Sequence, residues 1–237
     1  MIAIFAFLHA HREPARIGAI ARGVGAPRST VYELVNRLIE AGILEPRGDG
    51  GVYFGRAMHY YGADYVRSVA LLEQAQKEVA HLAEECGETV QFCRLEGNKY
   101  TVVLMDAGRR TFKITSEIGV TVPIPWTASG RLLLGHMSAE EILAFIPEED
   151  FVLADGRVLD KTDFLAEIDE AGRHGYAVTS GLVDDFTTCM AAPVIDGTGR
   201  VVATICFVVT RNTPTERQER LMERLLTSAR SLSRTAS

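Results

Sequence analysis

The chain has 237 residues, 47% of them hydrophobic and 24% charged, so it can bury cores without disulfide or metal staples. Its formal net charge of −6 gives no general attraction to nucleic acid, and no apolar run reaches the roughly 20 residues that span a bilayer. The cysteines, Cys86, Cys93, Cys189 and Cys206, form no Cys-x-x-Cys pair, so free thiols in a reducing cytoplasm are expected and a metal site is not.

Residues 1–56 depart from the overall balance. Seven arginines stand there against five acids, leaving −8 for the remainder, and the first lysine is Lys77. Arginine forks phosphates and carboxylates in a fixed planar geometry that lysine lacks. The opening MIAIFAFLHA has no positive lead and no cleavage site of the secretion type. It is read as a first helix burying Ile4, Phe5 and Leu8. A second helix starts near Arg16, carries Ile17, Ile20 and Val24, and ends where Gly23 and Gly25 permit a tight turn. Pro27 is expected in the first turn of a third helix. There Val31, Leu34, Val35, Leu38 and Ile39 recur as one apolar stripe, and Gly42 supplies the stop. ILEPR and VYFGR, around GDGG, read as a hairpin whose first strand lies at an edge because Pro46 has no N–H to donate.

From Ala57 to about Cys86 the chain reads as helical, with a break expected at Gly62. Beyond Gly87, strands rich in β-branched and aromatic residues are expected at 88–95, 99–107, 112–119, 176–180, 189–196 and 199–209. Helices are expected at 127–137, 139–146 and 162–175, and from Thr215 to about Leu232. RLEGN and IDGTGR read as hairpin turns. The expected architecture is α+β: a helix-turn-helix with a wing over 1–56, a helical linker over 57–70, and a larger domain over 71–237.

Helix, Gly-bearing turn and second helix form a helix-turn-helix candidate, in which the second helix offers its N-terminal residues to the major groove. Its outer face shows Arg28, Ser29, Thr30, Tyr32 and Arg37, donors suited to phosphates and base edges. Glu33 either accepts from cytosine or pairs with Arg37 one turn on. Arg47, on the wing, is placed to touch the adjacent DNA backbone. The bland alternative is an ordinary amphipathic helix that shows its polar side to water.

The stretch RIGAIARGVGAPRSTVYELVNRLIEAGILEPRGDGGVYFGR resembles the winged helix-turn-helix of the IclR (isocitrate lyase regulator) family of bacterial transcription factors. Downstream, AEECGETVQFCRLEG, VTVPIPWTASGRLLLGHM, AGRHGYAVTSG and TTCMAAPVIDGTGRVVATICFVV resemble the family's effector domain, in the family's order. The resemblance implies a GAF-like domain, with a curved antiparallel sheet flanked by helices and a small-molecule pocket on one face. It implies a cytoplasmic regulator of a catabolic or transport operon, acting on an operator as a homodimer or dimer of dimers. It further implies that Trp126, Ser129, Gly130, Thr179, Cys189, Cys206 and Val208 line the pocket. Thr179 stands where glyoxylate- and pyruvate-responsive members tend to carry an acid. With Cys206 and Val208, it points to a bulkier aromatic or keto organic acid. Ser129 and Gly130 would let that ligand approach a helix N-terminus, with Thr127 as cap or contact. Asp184 and Asp185 are expected to face solvent.

Each of these residues also has a structural reading. Trp126 suits a core, and free cysteine in an apolar strand behaves as a small hydrophobe. Two other functions stand beside the regulator. One is a thiol-dependent enzyme using Cys189, for which the sequence offers no ordered base, metal spacing or phosphate loop, and no cofactor motif. The other is a sensory module whose winged helix binds protein rather than DNA.

Overall fold

A computed structural model describes residues 1–48, 50–109 and 117–236, with the side chains of 67 and 68 set aside. The expected strand at 112–119 lies largely outside the described residues. The chain divides into two compact units, Met1–Val69 and Ala70–Ser237.

In the first unit, α1 (Ile2–His11), α2 (Ile17–Gly23) and α3 (Arg28–Glu40) precede a hairpin of β1 (Leu44–Pro46) and β2 (Val52–Phe54). Ile4 and Leu8 of α1, Ile20 of α2, and Val31, Val35 and Leu38 of α3 meet with Leu44 and Val52 in one apolar core. Phe5 is only half-buried. Gly23 is still helical, and its bareness serves packing rather than the turn. A Cβ there would stand 2.2 Å from the Phe7 ring, whereas Gly25 takes the left-handed φ of +64°. Pro27 occupies the N-cap of α3, one residue before the first turn where it was expected. Pro46 pairs with Val52, and Val52 also exchanges both backbone hydrogen bonds with Ala15. β1 is therefore the outer strand, as its proline requires.

α4 (Arg56–Ser68) runs unbroken through Gly62. The expected break there is a correction: one glycine costs a helix only about 1 kcal/mol relative to alanine, too little to end it. The break falls at Val69, which is extended (φ −120°, ψ 100°).

In the second unit, α5 (Ala70–Cys86) leads into β3 (Thr89–Glu96), β4 (Lys99–Asp106) and β5 (Thr121–Pro123). α6 (Ala128–Leu133), α7 (Ala139–Phe145) and α8 (Lys161–His174) follow. The chain then forms β6 (Ala177–Ser180), β7 (Thr187–Ile195), β8 (Val201–Thr210) and α9 (Thr215–Thr235). The strands make one antiparallel sheet in the order β5-β4-β3-β8-β7-β6, bulged at Phe92/Cys93 and Val194/Ile195. Tight turns at Gly97–Asn98 and Asp196–Arg200 join its hairpins. α5 and α9 cover one face, and α6, backed by α8, covers the other. Because both faces are covered, β7 and β8 read as nearly continuous apolar runs. On α9, Leu221, Leu225 and Leu232 are buried at helical spacing. Each such burial stabilises by about 1.5–3 kcal/mol.

Candidate functional site

The polar face of α3 is open. Arg28, Ser29, Thr30, Tyr32 and Arg37 are all exposed. The helix has no side-chain N-cap and no acid in its first turn. Its N-terminal N–H groups and positive dipole end therefore face solvent beside Arg28, an arrangement that favours an anion. Arg37 pairs with Glu33 at 2.7 Å, with both side chains about two-thirds exposed or more. Of the two expected roles for Glu33, this is the pairing one, and a pair so exposed contributes at most about 1 kcal/mol. A phosphate can take its place at little cost. In the wing, Arg47 Nη2 donates to Phe54 O at 3.2 Å, and its Nη1 lies 3.9 Å from Glu45 Oε2. Its guanidinium thus braces the base of the hairpin while remaining half-exposed.

The second unit holds a cavity between its sheet and α6. Its volume is about 30 Å³, close to the liquid volume of one water molecule. Gln91, Tyr100, Val122, Thr187, Cys189 and Val208 form walls from the strands, and Thr127 closes one end from the cap of α6. Tyr100 Oη donates to Gln91 Oε1 at 3.2 Å and lies 2.8 Å from Cys93 Sγ and 4.0 Å from Cys206 Sγ. Burial holds the Tyr100 phenol and the Cys93 thiol well above their ordinary pKa values, so both stay neutral. Cys189 is also raised, by its hydrogen bond with Cys206 and then by burial. A nucleophilic cysteine needs the opposite shift.

The predicted pocket residues divide into groups. Cys189 and Val208 line the cavity. Cys206 is fully buried beside it, 3.8 Å from Gln91 Oε1. Ser129 is fully buried, and its hydroxyl has no hydrogen-bond partner among the described residues. Thr179 pairs with Cys189 across β6 and β7 but does not reach the cavity wall. Gly130 does not open the site to a ligand: a Cβ there would stand 2.2 Å from Ile124 O, and its N–H donates to Thr127 Oγ1 at 3.0 Å. Trp126 points elsewhere, its Nε1 donating to Asp150 O at 2.8 Å. Asp184, expected in solvent, is a wall residue whose Oδ1 accepts from Thr187 Oγ1 and Phe186 N.

Gln91, Tyr100 and Thr187, which the sequence reading does not name, also line the cavity. The sequence does carry a signal for Gln91: it shares a face with Cys93 in an apolar strand, and an amide there needs a reason. A larger groove of about 380 Å³ lies along α8, lined by Arg131, Glu167, Glu170 and His174. Arg131 spends its donors there on Glu167, Pro125 O and Thr127 O, so that groove offers little to an acid.

The family profile described as "IclR helix-turn-helix domain" matches residues 1–48. The profile described as "Bacterial transcriptional regulator IclR C-terminal" matches residues 63–234. The chain is 25% identical over 199 residues to the HTH-type transcriptional regulator KipR of Bacillus subtilis, covering 84% of this chain and 80% of that one. It is 30% identical over 179 residues to the HTH-type transcriptional regulator TtgV of Pseudomonas putida, covering 72% and 65%. Its fold matches the crystal structure of an IclR homolog complexed with 4-hydroxybenzoate from Microbacterium hydrocarbonoxydans. That match has a TM-score of 0.83 at 21% identity, over 99% of this chain and 96% of the other.

Proposed function

This chain belongs to the IclR family of bacterial transcriptional regulators, and from that premise we propose that it controls a catabolic or transport operon in response to a small organic acid. The observation that carries the reading is the uncapped, exposed N-terminus of α3 with Arg28, Ser29 and Thr30 upon it. Arg28 reads a base edge, Ser29, Thr30 and Tyr32 hold phosphates, Arg37 exchanges Glu33 for the DNA backbone, and Arg47 contacts it from the wing. One such helix reads only a few base pairs, so a homodimer or dimer of dimers on a near-palindromic operator is the working form. A regulator of this kind acts in the cytoplasm, where the chromosome is.

The acid enters the cavity beside Cys189 and Val208. The lining residues include no Lys, Arg or His, and they include the carboxylate Asp184. The Gln91 amide holds the acid, joined by the hydroxyls of Tyr100, Thr187 and Thr127 once these leave Gln91, Asp184 and Ile124 O, and the valines face its apolar body. An aromatic or keto acid fits that mixture, in keeping with the 4-hydroxybenzoate of the related structure. Its binding moves the protein between DNA-bound and free populations only if it prefers one of the two arrangements. The raised pKa of Cys189 argues against Cys189 as a nucleophile, while the same hydrogen bond holds Cys206 well below its ordinary value. The test is thermal stability with 4-hydroxybenzoate and a panel of keto acids, alongside anisotropy of the protein on its own upstream DNA. A binding acid at a hundred times its Kd raises stability by about 2.7 kcal/mol and changes the DNA affinity. If no acid alters either, the ligand reading fails. If the protein ignores the DNA altogether, a protein-binding role takes its place.

A further inference from the structure

At about 30 Å³, the cavity as it stands is far below the roughly 300–1,000 Å³ typical of small-molecule sites. Most of its walls cannot yield. Gln91, Tyr100, Val122, Cys189 and Val208 stand on strands held by the ladder, and Thr127 is fixed by capping α6. Val183 and Asp184 differ: they belong to the loop between β6 and β7. The same two residues line a second cavity of about 80 Å³ on the other side of that loop, against Leu153, Asp155 and Arg157. Val183 and Asp184 therefore form a partition with space on both sides.

The loop is held mainly at its ends. Gly181 N donates to Thr187 O at 3.1 Å, and Phe186 O accepts from Arg211 N at 2.7 Å. Two side chains from outside fasten it: Arg157 Nη2 donates to Gly181 O at 2.7 Å, and Thr187 Oγ1 donates to Asp184 Oδ1 at 2.8 Å. Arg157 is itself pre-oriented by Asp155, whose Oδ2 accepts from its Nε at 2.6 Å. The turn that carries it is closed by Leu153 N donating to Arg157 O at 2.8 Å. Val183 and Phe186 of the loop are already exposed, Phe186 by 70%, so a shift of the loop takes little apolar surface out of a core.

Building on the proposed ligand reading, we propose that the 181–186 loop is the gate of the effector pocket, with Val183 and Asp184 as its leaf and Arg157 as its latch. Release of Gly181 O by Arg157 lets the leaf move into the 80 Å³ space and joins the two cavities into one opening.

The experiment needs no effector. In the full chain, N-ethylmaleimide labelling of Cys189 is timed by peptide mass spectrometry, with half-buried Cys86 of α5 as internal reference. Native protein sets the baseline rate at Cys189, which is half-buried like Cys86. Arg157→Ala should label there about tenfold faster, as expected when a local opening loses one charged hydrogen bond. Val183→Ala, which thins the leaf without touching the latch, should label faster too, and keeps the test alive should Arg157→Ala fold poorly. In both variants the Cys86 rate should stay native. The gate is refuted by an unchanged Cys189 rate in variants that melt as the native protein does. It is equally refuted by Cys86 accelerating in step, which marks general loosening. Gated labelling together with acids that never shift stability would sink the ligand reading and leave the gate standing.

Discussion

Arg28 and Arg47 differ in what they can say about DNA. Arg28 is exposed at the start of α3, so Arg28→Ala should weaken binding to the specific site by about 1–3 kcal/mol and relax its sequence preference. Competition anisotropy against scrambled duplex measures both. Arg47 braces the wing through Phe54 O and makes no base contact in the proposed mode. Arg47→Ala should weaken all sequences alike and make the salt dependence shallower by roughly one unit. An unchanged slope in a protein with a native circular dichroism spectrum removes Arg47 from the interface. Gly130 carries a stability prediction instead. With Ile124 O 2.2 Å from a Cβ, Gly130→Ala should lower the urea-unfolding free energy by about 1–3 kcal/mol, the usual cost of overpacking. The reasons behind single residues were the least legible part of the sequence. The Trp126 indole turned to a carbonyl 24 positions away, and Gln91 met Tyr100 because β3 pairs with β4. Neither long-range partner is written near the residue that uses it. Cys189 and Val208, named through the family resemblance alone, face each other across β7 and β8 and line the cavity.

Elements were read more surely than residues, because their signals are local. The apolar stripe of α3 and the two tight hairpin turns in the sheet appear where periodicity and glycine put them. α4 shows where a local rule overreaches. Gly62 reads as a break or bend in the sequence, yet the helix continues and nothing lies within 4 Å of a Cβ added there. Gly62→Ala should therefore stabilise the protein by about 0.5–1 kcal/mol, since alanine loses less backbone freedom in a helix. Equilibrium urea unfolding checks the sign, and destabilisation would mean that α4 is not a plain helix at that point. In the 181–186 loop Asp185 is exposed as expected, and only Asp184 departs from the reading. Two adjacent aspartates suggest solvent, but Asp184 turns inward because Thr187 Oγ1 and Phe186 N both donate to it.

At the scale of the whole molecule, a chain with net charge −6 binds a polyanion only by concentrating its cations. The arginine-rich first 56 residues do this, and the acidic remainder carries the sensing role. In the proposed mode two copies present α3 together. Removing the local charge should matter more than changing the global charge. Neutralising acids in the second unit should leave the salt dependence of DNA binding nearly unchanged, whereas losing Arg28 or Arg47 changes it.

DNase footprinting of the purified protein on the DNA upstream of its own gene tests this most directly. The account predicts a protected, near-palindromic site whose two halves lie one helical turn or a multiple apart, lost together in Arg28→Ala. A folded protein that leaves that DNA wholly unprotected, or protects it equally well without Arg28, would contradict it.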